Sequence, residues 1–445
     1  MLSCIPFTSI KHHSLRLSKD LTPSSTMTSN IQTLIDQAKD LFDKSYSSNP
    51  APGSIHITTA PGRVNLIGEH TDYTGGFVLP LAIGYSTVCY GCGSIVKTKG
   101  TKCRVVSINN PRNIVEFDAI ASALPSDSNK WVNYVQGVVL QYLPELKDDE
   151  TFALDIAIAG DVPLGSGLSS SASLEVATAV FLESVMKEGG VDSPYMKLVE
   201  RSRKKERAVR CQRAENVFCG VPCGIMDQFV SSAGCEGNLL LIDCRSLDFR
   251  EVAMGESDGN KPVLVVTNSN VQHNLGDSEY PVRVQQCKDA TAALSRFDSK
   301  IQTLRDATLD GIDVATSQGL LGGILLQRSR HVVGENKRTE DTAVALENGD
   351  WVKVGQLMNE SHASMRDDYE VSCKEIDILV ELAQSFEGVY GSRLTGGGFG
   401  GCTVTLVRED VSQALMDYLK EQYKVKTGLD CVCLKTCPSD GARVL

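Results

Sequence analysis

Four side chains able to handle a hydroxylated, anionic ligand stand within one short stretch. Arg63, Glu69, His70 and Asp72 lie inside Ala60-Pro-Gly-Arg-Val-Asn-Leu-Ile-Gly-Glu-His-Thr-Asp-Tyr-Thr-Gly-Gly76. A carboxylate accepts hydrogen bonds from two neighbouring hydroxyls at once, so Glu69 and Asp72 suit a polyol or a sugar. Arg63 is always cationic and suits a phosphate or a developing alkoxide. Any one of these charges alone would be an ordinary solvated loop residue. Together, in a glycine-rich segment between two apolar strand-like runs, they meet the condition of convergence that a site requires.

A second stretch, Pro163-Leu-Gly-Ser-Gly-Leu-Ser-Ser-Ser-Ala-Ser173, suits phosphate. Gly165 and Gly167 let the backbone turn sharply and approach a ligand closely. The amides of the following helical turn, backed by the helix dipole, then point at one spot. The hydroxyls of Ser169, Ser170 and Ser171 add groups for phosphate oxygens or Mg²⁺. The plainer alternative is a serine N-cap after a loop. No Gly-x4-Gly-Lys-Ser/Thr occurs anywhere in the chain, so a nucleotide held here is not held by a Walker loop. Asp227, in Cys219-Gly-Val-Pro-Cys-Gly-Ile-Met-Asp-Gln-Phe229, sits where a helix is predicted to begin. There a carboxylate is either a dipole partner or an acid placed to act on a hydroxyl. A third glycine-rich stretch, Gly396-Gly-Gly-Phe-Gly-Gly401, carries five glycines among six residues just before an alternating strand.

The elements that must position these residues are legible in the periodicity. Ile31, Leu34, Ile35, Ala38, Leu41 and Phe42 mark an amphipathic helix. Ser54–Thr59 and Phe77–Val88 read as strands, as does Phe152–Ile158. The phosphate stretch runs into a helix from Ala172 to about Met186, on which Leu174, Ala177, Phe181 and Val185 share a face. A helix is predicted to start at Trp131, where Trp131 and Tyr134 would either stack on a purine or pack into the core. Lys197–Val217 reads as a charged helix, Asn238–Cys244 and Val263–Asn268 as strands, and Ser278–Pro281 as a helix start. Strand–helix–strand after the last glycine run suggests an α+β lobe with antiparallel pairing. Met254–Pro262 is a plausible boundary between lobes.

Composition bounds the function class. The 445 residues are 42% hydrophobic and 22% charged, ordinary for a globular enzyme of two or three domains. A net charge of −11 argues against nucleic acid or anionic membranes as partners. No apolar run approaches the ~18 residues of a membrane span. The 15 cysteines include Cys89-Tyr-Gly-Cys92, which lacks a matching second pair for zinc, and their apolar settings point to a reducing compartment. Residues 1–28, rich in Ser and Thr, read as a disordered extension with a faint transit-peptide character, and Met27 could serve as a second start.

The conjunction of motifs resembles the galactokinases, of the GHMP small-molecule kinase superfamily. Gly62-Arg-Val-Asn-Leu-Ile-Gly-Glu-His-Thr-Asp-Tyr73 resembles the signature of that family, and Pro163–Ser173 and Gly396–Gly401 resemble motifs of the superfamily. Cys223-Gly-Ile-Met-Asp-Gln228, Leu241-Ile-Asp-Cys-Arg-Ser246 and Ser361-His-Ala-Ser-Met-Arg-Asp-Asp368 also match, and the resemblance runs from about residue 31 onward. It implies a two-lobed α+β fold with mixed and antiparallel sheets and the active site between the lobes. The N-terminal lobe would span 29–255 and the C-terminal lobe 256–445.

It further implies transfer of the γ-phosphate of ATP to the C1 hydroxyl of α-D-galactose, the first committed step of galactose use, with Mg²⁺ as cofactor. Asp227 resembles the catalytic base, and Arg63 the cation beside it. Glu69, His70, Asp72, Cys223, Gly224 and Tyr280 match sugar-binding positions. Gly165, Gly167, Ser169 and Ser170 match the nucleotide loop, Ser171 and Glu215 the Mg²⁺ ligands, and Trp131 and Tyr134 fall near the adenine. A cytoplasmic monomer is expected. The alternatives are an N-acetylgalactosamine kinase and, from another class, a non-catalytic regulator that senses galactose and ATP.

Overall fold

The computed structural model describes residues 31–97, 102–254, 262–271 and 279–445. The extension expected at 1–28 and most of the boundary expected at Met254–Pro262 lie outside the described residues.

In chain order, α1 (Ile31–Tyr46) leads to β1 (Ile55–Asn65), β2 (Phe77–Val78), β3 (Pro80–Val96), β4 (Lys102–Ser107) and β5 (Asn110–Asp118). Then come α2 (Lys130–Tyr142), β6 (Thr151–Gly160), α3 (Ser170–Glu188), α4 (Glu200–Arg213) and α5 (Met226–Ala233). β7 (Asn238–Asp243), β8 (Phe249–Ala253) and β9 (Pro262–Asn268) precede the helices α6 (Tyr280–Phe297), α7 (Leu309–Ser317), α8 (Gly323–Glu347), α9 (Trp351–Asp367) and α10 (Lys374–Gln384). The chain ends with β10 (Val389–Thr395), β11 (Cys402–Arg408), α11 (Ser412–Thr427), β12 (Val432–Thr436) and β13 (Arg443–Val444).

The strands form three sheets, ordered β13-β1-β3-β6-β4-β5, β10-β11-β9-β12 and β2-β7-β8. Pairing is antiparallel except between β4 and β6, which run parallel. The fold is thus α+β with mixed and antiparallel sheets, in line with the expectation from the sequence. The final strand β13 pairs with β1 in the first sheet, so the last residues return to the N-terminal half.

β3 is the spine of the first sheet, and helices cover both its faces. Cys89 packs with residues of α2 and α3, whereas Cys92 packs with Leu34, Leu41 and Phe42 of α1. Alternate strand residues point to opposite faces. A spacing of three therefore sends the two thiols of the C-x-x-C apart, and no zinc site can form between them. The described cysteines are all free. A separate core joins the first sheet to the C-terminal one: Val64, Leu66, Leu81 and Leu168 pack with Leu264, Val266, Val404 and Leu406. The strand expected to end at Thr59 instead runs on to Asn65, with a register shift between Pro61 and Arg63. A bulge absorbs the proline's missing N–H. Arg63 is therefore a strand residue and not, as the sequence suggested, part of a loop.

Candidate active site

β1 delivers Arg63 to the end of the sheet, where the side chain is 6% exposed. Its guanidinium forks onto Asp227, Nε to Oδ1 at 2.7 Å and Nη2 to Oδ2 at 2.6 Å, while Nη1 donates to the carbonyl of Gly167 at 2.5 Å. Burial alone would lower the Arg63 pKa, but the pairing with Asp227 outweighs it and the net shift is upward. Asp227 is the second residue of α5, near the positive end of its dipole. The hydroxyl of Ser169 also donates to Asp227 Oδ2.

Ser169 is the residue before α3, in the left-handed region at φ 61°, and its side chain makes no capping bond. The plain capping role therefore fails: the hydroxyl is turned onto Asp227. The loop is further stitched to β1 by the Arg63 amide, which donates to the Leu168 carbonyl at 3.1 Å.

The segment after β1 brings the expected sugar-binding side chains around the same point. Asp72 opens a short 3₁₀ turn, and burial, with Asp227 adding, pushes its carboxyl up to about 7. A Cβ on Gly224 would lie 1.5 Å from Asp72 Oδ2, so only glycine fits there. His70, at φ 62°, contacts the Tyr73 hydroxyl through Nδ1 at 3.0 Å, while Nε2 is buried and meets no protein partner. Burial pushes this imidazole down to about 3, so it is neutral. The Tyr280 ring lies 5.8 Å from that of His70, and burial, then Asp72, Cys223 and Asp227, raise its hydroxyl pKa. Glu69 is buried and holds the Gly396 amide through Oε1 at 2.9 Å. Cys223 is fixed by its amide, which donates to Asn216 Oδ1 at 2.7 Å, and its Sγ lies 3.5 Å from Glu215 Oε2.

Gly165 (φ 66°) and Gly167 (φ 79°) both occupy the left-handed region that makes this loop possible. Ser170 and Ser171 open α3. Glu215 sits in a π-helical turn, Ala214–Phe218, that interrupts the charged helix expected at Lys197–Val217. Burial, with Asp227 adding, pushes Glu215 up to about 7, against hydrogen bonds from Cys223, Ser171 and Gln228. Gln228 Nε2 bridges Glu215 Oε2 at 2.5 Å and Glu175 Oε2 at 3.0 Å. Glu175 is fully buried, with Oε1 unpartnered, and burial and Glu215 raise its pKa well above the usual range.

Glu215, hydrogen-bonded to the Ser171 hydroxyl, with the buried Glu175 held to it through Gln228, forms a hard oxygen set suited to Mg²⁺. No cluster of three His, Cys, Asp or Glu ligands occurs among the described residues. On α2, Trp131 packs against the first core. The Tyr134 hydroxyl has its pKa raised by burial and then by Glu215.

Several residues that hold this arrangement escape the sequence. Glu335 of α8 accepts the amides of Gly68 and Glu69 at 3.0 and 3.3 Å, and His331 Nε2 meets the Glu69 carbonyl at 3.1 Å. Arg393, Glu175 and Gln228 belong with them. The Cys223–Gln228 motif contains Gln228 without giving it a role, whereas Glu335 looks like any charge on a long helix.

A family model described as the galactokinase galactose-binding signature matches residues 40–91. Those for the GHMP kinase N-terminal and C-terminal domains match 133–235 and 342–425. The galactokinase of Bos taurus is 42% identical over 418 residues, covering 93% of this chain and 97% of that protein. The galactokinase of Homo sapiens is 41% identical over 416 residues, with the same coverage of 93% and 97%. A solved structure of Lactococcus lactis galactokinase complexed with galactose superposes with a TM-score of 0.80 at 32% identity, covering 93% of this chain and 100% of that one. A mevalonate kinase at 18% identity and a TM-score of 0.55 shares the fold alone. With a signature stretch at the Arg63–Asp72 cluster and relatives matched along nearly their whole length, the chain belongs to the galactokinase family of the GHMP kinases.

Proposed function

We propose that this ATP-dependent sugar kinase moves the γ-phosphate of ATP to the C1 hydroxyl of α-D-galactose, giving galactose 1-phosphate and ADP. The observation that carries the reading is the Asp227 carboxylate, gripped by Arg63 and Ser169 between the Glu69–Asp72 segment and the Gly165–Ser171 loop.

Glu69, Asp72, the neutral His70, Tyr280 and the backbone at Cys223 and Gly224 bind and orient the sugar hydroxyls. The C1 hydroxyl then faces Asp227, which takes up or orients its proton as the bond to phosphorus forms. Arg63 supports the developing negative charge on that oxygen. The amides of Gly165, Gly167 and Ser169–Ser171 hold the phosphates, and Trp131 and Tyr134 flank the adenine. Phosphoryl transfer asks mainly for positioning and charge neutralisation. Ser171 and Glu215 would hold Mg²⁺, which would supply part of that neutralisation. The residues from 29 to 255 carry most of these groups, and those from 256 to 445 supply Tyr280 and the third glycine run. The same reading makes the enzyme a cytoplasmic monomer acting on small molecules, apart from nucleic acids and membranes. No described helix is long and apolar enough to cross a membrane.

The test is ADP release measured across galactose, N-acetylgalactosamine, mevalonate and homoserine. Galactose is expected to give the highest kcat/KM. Preference for N-acetylgalactosamine would overturn the sugar assignment, and ADP release with none of them would point to a sensing protein. Asp227→Asn and Asp227→Ala are expected to lower kcat about 10²- to 10⁴-fold. Near-normal turnover in a folded variant would remove Asp227 from its role.

A further inference from the structure

In the proposed function Glu69 accepts hydrogen bonds from the sugar, and the role of its neighbour Arg393 rests on that function. Among the described residues, the contacts made to the Glu69 carboxylate all fall on one oxygen. Oε1 accepts from the Gly396 amide at 2.9 Å and from Thr395 Oγ1 at 3.1 Å, and it faces Arg393 Nη2 at 3.3 Å. Arg393 is 0% exposed on β10; its Nη1 donates to the carbonyls of Leu66 at 2.9 Å and Asn65 at 3.3 Å, and its Nη2, beside Glu69, also donates to Met365 Sδ at 3.5 Å. One guanidinium therefore holds the segment at its start, through the backbone, and at Glu69, through the carboxylate.

We infer that Arg393 is a positioning residue for sugar binding, which pins Glu69 Oε1 so that Oε2 is presented to a sugar hydroxyl. The terminal torsion of a glutamate is broad and roughly two-fold, so an untethered carboxylate would meet the ligand in many orientations. The Gly396 amide, the Thr395 hydroxyl and the Arg393 charge, all at one oxygen, restrict that freedom before the sugar arrives, and ordering done in advance does not weaken binding. A merely structural role accounts poorly for the choice of residue. A fully buried guanidinium is costly, and an apolar side chain of similar volume often serves stability as well or better. Arg393 even leaves its Nε buried without a partner. Its planar fork, which reaches carboxylate and carbonyls together, is the property that lysine and methionine lack.

The experiment compares Arg393→Lys, Arg393→Met, Thr395→Val and Glu69→Gln by galactose KM, ATP KM, kcat and melting temperature. Arg393→Met is expected to raise the galactose KM about tenfold or more, the scale of a lost charged hydrogen bond, with the ATP KM near wild type. Arg393→Lys recovers part of that loss, and Thr395→Val gives a smaller rise of about threefold. In a Glu69→Gln background, Arg393→Lys adds little to the galactose KM.

A fall in melting temperature with the galactose KM unchanged would reduce Arg393 to a structural tie, as would equal rises in both KM values. Where the Arg393 variants do not fold, Thr395→Val decides by the same readouts. An unchanged galactose KM in Glu69→Gln removes the sugar role of Glu69 itself. A defect in Glu69→Gln that neither Arg393→Lys nor Thr395→Val shares overturns the positioning alone.

Discussion

Asp72 is held in a setting that suits a bound ligand better than the empty protein. Burial, with Asp227 adding, moves its carboxyl from the ordinary 3.8 up to about 7. Between those values the folded state keeps a proton that the unfolded chain has lost, so stability falls as pH rises through this window and levels off above it. A tenfold change in proton affinity corresponds to about 1.4 kcal/mol. Asp72→Asn removes the titration, so it is expected to raise the melting temperature of the ligand-free protein at pH 8 and to change it little at pH 4. The same variant should weaken galactose binding. An equal effect on melting at both pH values would show that the carboxylate is not strained.

Ser169 supports a second expectation at this scale. Its hydroxyl bonds Asp227 and does not cap α3. Ser169→Ala is therefore expected to cut kcat about tenfold, as loss of a charge-assisted hydrogen bond does, with the melting temperature nearly unchanged. A drop in melting temperature with kcat preserved would restore the capping role. The chemistry of these residues could be read from their types and crowding. The grip of Arg393 and Glu335 could not, because a charge on a strand or a long helix carries no local mark of its partner hundreds of residues away.

At the scale of elements, the glycine hairpin between β10 and β11 is a place where backbone meets backbone closely. Gly398 (φ 86°) and Gly400 (φ 133°) both have positive φ, and a Cβ would come within 2.5 Å of the Val371 carbonyl and 2.6 Å of the Val271 carbonyl. Gly398→Ala and Gly400→Ala are expected to cost more than the about 1 to 3 kcal/mol of backbone strain alone, because the obstructing atoms are main chain. Gly237→Ala, with positive φ but open space around the added methyl, should cost only the strain. Melting temperatures of the three variants check this, and equal losses would show that the contacts around the hairpin yield freely. Periodicity marked α1, α3 and the strands β1, β3 and β6, but it did not announce β4, β5, β8 or the helices α7 to α10. The two departures at the site, the strand that continues through Pro61 and the π-turn at Glu215, are places where tertiary contacts override local preference. β1 gains the pairing of Arg63 with Ala82 and Val64 with Leu81 across the bulge. The π-turn faces Glu215 toward Ser171 and Gln228, and no local pattern in a charged helix announces it.

Across the whole molecule, the Glu69–Asp72 segment and the Gly165–Ser171 loop are linked by one run of contacts. Glu69 Oε1 holds the Gly396 amide. A Cβ on Gly396 would sit 3.6 Å from the Gly167 carbonyl, which Arg63 also contacts while it forks onto Asp227. The third glycine run, which the sequence marked as a superfamily motif without naming its contacts, is thus the piece that leans the C-terminal sheet on the Gly165–Ser171 loop. Its partners Glu69 and Gly167 lie hundreds of residues earlier in the chain, which is why spacing alone did not assign it. Two ligands that each order one end of this run reduce what the other must order, so their binding is expected to be mutually favourable. Calorimetry of galactose binding, with and without Mg²⁺ and a non-hydrolysable ATP analogue, measures the coupling. Galactose should bind about five-fold more tightly or better when the nucleotide site is filled, and by linkage the analogue should gain the same factor from galactose. Equal galactose affinity in both conditions would mean that the Glu69–Gly396–Gly167–Arg63 run holds the fold together without carrying information between the two sites.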